Sequence, residues 1–187
     1  MKKFILLFLT TICLSFAGCN QHTNASAQQP CITFLGIPVD GTNEEMVSKL
    51  KAKGFAYNSF TGYLDGEFNG ADVSIDVQTV NGRVWRIAVL DASYKNETGI
   101  KIRFNDLFEQ FSNNSKYVYV GGNIPSENAD IHREILNNSV QYEAVFTCAD
   151  ESINGFVWYM INYEFMHGYS IAMFYENFNN AADGSEL

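Results

Sequence analysis

The chain has 187 residues and a formal charge of −9, with 47% hydrophobic and 14% aromatic residues. An acidic chain without a lysine or arginine cluster is poorly suited to phosphate backbones or anionic headgroups, which excludes nucleic acid as a partner. Hydrophobic content at this level supports a packed core and excludes a disordered chain.

The N-terminus carries Lys2 and Lys3, an apolar run from Phe4 to Leu9, and then Phe16-Ala17-Gly18-Cys19. The apolar stretch of about 13 residues is short of the roughly 20 needed to span a bilayer, so it reads as an export signal that is removed. Residues 16–19 resemble the lipobox of bacterial lipoproteins, although Phe16 stands where that pattern usually has Leu. The resemblance implies loss of residues 1–18 and acylation of Cys19, which would hold the protein at a membrane through its lipid. Losing Lys2 and Lys3 takes the charge from −9 to about −11. Residues 19–30 are then a polar tether rich in Asn, Gln, Ser and Ala. A competing site, Ala25-Ser26-Ala27, suits ordinary signal peptidase and would release a soluble periplasmic or secreted chain after Ala27. Gly18-Cys19 lies directly at the end of the apolar stretch, which favours the anchored form. Asn20-Gln21-His22-Thr23 lacks the acidic residues that resemble surface-export signals, so the periplasmic side of the outer membrane is the expected address.

Residues 31–187 are expected to form a single α+β domain of two units, about 31–95 and 96–180. The first helix is predicted over about 43–53. Thr42 and Glu45 form a capping box, Met46, Val47 and Leu50 an apolar stripe, and Gly54 a stop. Strands are predicted at about 60–68, 71–80 and 83–92, joined by Asn69-Gly70 and Asn81-Gly82, dipeptides that readily take the positive φ of a tight hairpin. Val73, Ile75 and Val77 alternate with Asp72, Ser74, Asp76 and Gln78, so one face of that meander is buried and the other wet.

The second unit repeats the order. Ile100, Phe104, Leu107, Phe108 and Phe111 fall on one helical stripe, and strands are predicted at about 140–149, 155–164 and 169–176. Residues 116–120 read as a short strand, and residues 130–136 as a strand in preference to a short helix. A helix with one apolar stripe and a meander with one apolar face are natural partners, giving two tandem helix-plus-antiparallel-meander units that form one two-layer sheet with both helices on the same side. This topology is similar to the tandem α+β folds of the β-lactamase inhibitor protein and of small outer-membrane assembly lipoproteins. Phe34 to Thr42, Lys51 to Phe55, Tyr142 to Phe146 and Ile171 to Asn180 resemble segments of a group of exported lipoprotein-like proteins from Bacteroides-type gut bacteria. The resemblance implies an exported address and this fold, and no activity.

Little in the sequence points to catalysis. The histidines are His22, His132 and His167, with no short-spaced His or Cys pairs of the kind that ligate metals, so neither a metal nor a cofactor is expected. A nucleophile elbow and a glycine-rich phosphate loop are also absent from the sequence. Cys31 and Cys148 either pair as a disulfide or sit apart as small buried hydrophobes. Phe156, Trp158 and Met160 face one way on their strand, and Val157, Tyr159, Ile161 and Tyr163 the other. That strand is either sandwiched or presents Tyr159 and Tyr163 as a recognition platform. These features favour a non-enzymatic binding or assembly module that recognises an envelope protein. The alternative is a glycan-binding or hydrolytic envelope protein using Asp65, Glu67, Asp72 and Asp76 with nearby aromatics. The sequence sets no oligomeric state.

Overall fold

The structure, a computed structural model, describes residues 30–181. The export signal, Cys19, the tether as far as Gln29 and the Ala27 site lie outside the described residues. A two-residue hairpin, β1 (Thr33–Phe34) and β2 (Ile37–Pro38), opens the domain and turns at Leu35 and Gly36, both at positive φ. Then come α1 (Asn43–Ala52), β3 (Ala56–Tyr57), β4 (Leu64–Phe68), β5 (Ala71–Val80) and β6 (Arg83–Asp91). The second unit contains α2 (Glu97–Ser112), β7 (Tyr117–Asn123), α3 (Ile131–Leu136), β8 (Glu143–Cys148), β9 (Gly155–Glu164) and β10 (Gly168–Asn177).

The fold is α+β. Strands β3 to β10 form one eight-stranded antiparallel sheet in the order β3-β4-β5-β6-β10-β9-β8-β7. Each unit contributes a four-stranded half, and the halves join through their last strands, with Phe174 opposite Ala88 and Tyr175 opposite Ile87. The short edge β3 ends one side of the sheet and β7 the other.

Local chemistry explains the elements. Both parts of the Thr42 and Glu45 capping box form, satisfying amides that would otherwise lack partners at the start of α1. Asn96 accepts the Gly99 amide at 2.8 Å and starts α2 in the same way. Both expected hairpins close at Asn-Gly, with φ of 53° and 71° at residues 69 and 70 and 50° and 76° at residues 81 and 82. Residues 131–136 correct the expected strand: Asp130 accepts the Arg133 amide, Ile131 is buried, and a short helix forms. The carboxylate cap outweighs the β-branched residues over so short a span.

All three helices pack on one face of the sheet. From α1, Met46 and Leu50 are completely buried; α2 places Phe104 against Tyr159 at 4.8 Å between ring centroids; α3 bonds His132 to Tyr169 at 2.8 Å. A nearly buried ion pair fixes α2 over the first unit. Arg103 meets both oxygens of Asp91 on β6, at 3.3 and 3.2 Å, and donates to the Asn69 carbonyl at 2.8 Å. This fork-to-fork geometry holds the helix of one unit on the hairpin of the other. Asn177 pins the first hairpin by donating to the Val39 carbonyl at 2.8 Å from a site 1% exposed.

Candidate functional site

Because successive side chains on a strand point to opposite faces, the sheet has an inner surface beneath the helices and an outer surface that none of the described helices covers. Val157, Tyr159, Ile161 and Tyr163 of β9 point inward, and Phe156, Trp158, Met160 and Asn162 outward. On β10, Tyr169, Ile171, Met173 and Tyr175 point inward, while Ser170, Ala172, Phe174 and Glu176 share the outer face. The outer face therefore carries aromatic side chains on the central strands and carboxylates on β4 and β5, where Asp65, Glu67, Asp72 and Asp76 lie.

At its centre, Trp158 and Phe174 sit directly opposite each other and stack with centroids 4.3 Å apart and planes at 25°. The Arg86 guanidinium lies 4.0 Å from the Trp85 ring and 5.2 Å from Phe174, where cation–π attraction holds it against the sheet. Its Nη2 is 2.5 Å from a carboxylate oxygen of Glu176, which is only 5% exposed. Arg86 Nε and that same Glu176 oxygen are buried without a hydrogen-bond partner among the described residues, so the contact is electrostatic and poorly aligned. Toward the acidic half, Asp65 accepts from Asn58 at 2.9 Å and from Ser74 at 2.7 Å, bonds that lower its pKa. Asp76 accepts from Gln78 at 2.9 Å.

The expected platform separates into two places. Tyr159 is completely buried and its hydroxyl donates to the Phe104 carbonyl at 3.2 Å, with burial pushing its phenol far above the ordinary range. It is a core residue, which corrects its expected role on an open face. Tyr163 is half-buried at the end of the inner face, edge-on to His132 at 5.5 Å and 5.1 Å from Tyr169. It lines an open cleft of about 710 Å³ together with Tyr94, Asp130, His132, His167 and Tyr169. Within or beside this cleft, Tyr94 bonds Glu164, His167 lies 3.4 Å from Glu164, and Glu97 accepts the Ile131 amide at 3.0 Å. These carboxylates cap and tie local structure. The adjoining β9–β10 turn exposes Phe165 and Met166, at 77% and 87%.

Cys31 and Cys148 are free thiols in the structure, half-buried and buried respectively, and both line a single cavity of about 520 Å³. His167 lines the cleft with Tyr163 and is absent from the lining of the cavity that holds the two cysteines. Among the described residues, no group of three or more His, Cys, Asp or Glu side chains is placed to hold a metal ion. No described helix is long and apolar enough to cross a membrane.

The parity of β9 carried the signal for the outer residues, but aromatic content on both faces did not reveal which one the helices would cover. Compared with known proteins, the chain matches no family model, no curated protein and no solved structure.

Proposed function

We propose that the protein is a non-enzymatic module of the cell envelope, lipid-anchored through Cys19, that binds another protein with the outer face of its sheet. The observation that carries this reading is the stacked Trp158 and Phe174 pair, backed by Arg86 and Glu176, on the face that no described helix covers. Half-buried aromatic surface bordered by charge is the composition of an interface centre and its rim. The carboxylates on β4 and β5 would suit a partner that brings lysine or arginine to Asp72 and Glu67 and an aliphatic or aromatic anchor to the Trp158 region.

Capture from native membranes by the full lipidated chain tests this role. One partner should be recovered in stoichiometric amount, and Trp158→Ala with Phe174→Ala should weaken its binding by roughly 30-fold or more, the loss of a hot spot of about 2 kcal/mol. Undiminished capture by the correctly folded double variant would overturn the role of this face. A glycan-binding or hydrolytic role is the second reading. It has less support, because Asp65 and Asp76 already accept hydrogen bonds from Asn58, Ser74 and Gln78.

A further inference from the structure

Two independent parts of the fold bring the thiols together. Cys31 lies immediately before the first hairpin and cannot swing freely, because both neighbouring carbonyls are engaged. Ile32 accepts the Val39 amide at 2.9 Å, and Pro30 accepts from Asn179 at 3.4 Å. Cys148 ends β8, where it is registered opposite Tyr117 and followed by an Ala149 amide donating to Lys116 at 2.8 Å. Both residues line the same cavity with Tyr117 and Ile153, so the two frames bring them to one shared space.

We propose that Cys31 and Cys148 are a disulfide-forming pair that fastens the base of the tether to β8 in an oxidising compartment. Burial raises the pKa of both thiols; Asp40 raises Cys31 further, and Asp150 and Cys31 itself raise Cys148. Both are therefore slow nucleophiles, and their oxidation needs a disulfide donor. Cys31, the more exposed of the two, is the entry point. Its thiolate attacks the donor disulfide, forming a mixed disulfide and expelling one donor thiolate. The Cys148 thiolate then attacks the Cys31 sulfur and expels the second. One S–S bond forms in the chain and one breaks in the donor, which takes up the two electrons; the two protons released by the cysteines pass to solvent or to the donor thiolates.

The occurrence of this bond in the cell rests on the exported address proposed above, whereas its chemistry rests on the fold alone, and two measurements separate them. The mature chain is purified reduced, equilibrated with oxidised glutathione, and its remaining thiols are alkylated. Intact mass should show a monomer lighter by two hydrogens, with neither cysteine labelled. Cys148→Ser should retain one glutathione on Cys31, whereas Cys31→Ser should react much more slowly at Cys148. Two freely alkylated thiols in the folded protein at equilibrium, or a bond formed only between two chains, would overturn the pair. A bond that forms readily in vitro while cells trapped in acid hold both thiols reduced would overturn the oxidising address and leave the pair standing.

Discussion

Trp158 and Tyr159 are neighbours on β9, yet Tyr159 is fully enclosed beneath α2 while Trp158 remains half-buried on the face that no described helix covers. The same contrast runs along the sheet. On the inner face, rings interlock in a continuous cluster of Phe104, Phe111, Phe146 and Tyr159. On the outer face they form separate pairs, Trp158 stacked on Phe174 and Phe156 tilted against Phe178, beside a band of carboxylates. Two surfaces of similar aromatic character thus serve different ends, one stabilising the fold and the other meeting solvent. What separates them is the hydrogen-bonded cover: Tyr159 gains a helix carbonyl, whereas Arg86 is held by Glu176, by a 3.4 Å bond to the Gln78 side chain and by the rings around it.

The largest effect expected from breaking this contrast is on stability. Tyr159→Ala should cost about 3–5 kcal/mol, the range for emptying a buried aromatic site, and chemical denaturation reads it directly. Trp158→Ala should cost about 1 kcal/mol or less in the same measurement, because its site is already part-solvated. Equal losses at the two positions would erase the distinction between the faces.

Next is the tie between the units. Arg103→Ala leaves Asp91 buried without its cation, and a loss of about 2–4 kcal/mol is expected, with the first unit less protected from amide exchange near Asn69. Replacing both partners by apolar residues of similar volume should recover much of that loss.

A smaller effect is a pH dependence confined to the inner side. Burial first, and then the hydrogen bond to Glu134, raise the Tyr142 phenol from 10.0 to about 12. A pKa raised on folding means that its stabilising contribution is complete below pH 10 and disappears as pH rises toward about 12. Denaturation curves across that window should lose stability, and Tyr142→Phe should flatten the slope. An unchanged slope in the variant would assign the alkaline loss to other tyrosines.

Much of this architecture was legible in the sequence for local reasons. Thr42 with Glu45, and the two Asn-Gly turns, settle their geometry within a few residues, so α1 and the first meander were readable. The five apolar positions of α2 carry their own period. Residues 131–136 were less readable because a helix of six residues has no periodicity to detect, only the Asp130 cap. The β1–β2 hairpin and the two-residue β3 are too short to carry an alternation at all. The side of β9 that faces the helices is decided by long-range packing, which pairs Tyr159 with Phe104, a partner 55 positions away. Sequence parity sorted Trp158 from Tyr159 correctly without saying which of them would meet solvent.

The smallest expected effect concerns charge on the outer face. Asp72→Asn with Asp76→Asn should change stability by about 0.5 kcal/mol or less, since surface charges in water interact weakly. It should instead slow partner association and reduce its salt dependence, as measured by surface-coupled binding kinetics at several ionic strengths.

The two edges of the sheet are unequal: β3 offers two residues, whereas β7 runs for seven from Tyr117 to Asn123 without a charged residue or a proline. Strand addition therefore has one usable terminus per molecule. Two copies meeting there would each turn outward the stub of β3 and the three residues of β4 that it leaves uncovered, a much poorer template for further stacking by backbone pairing.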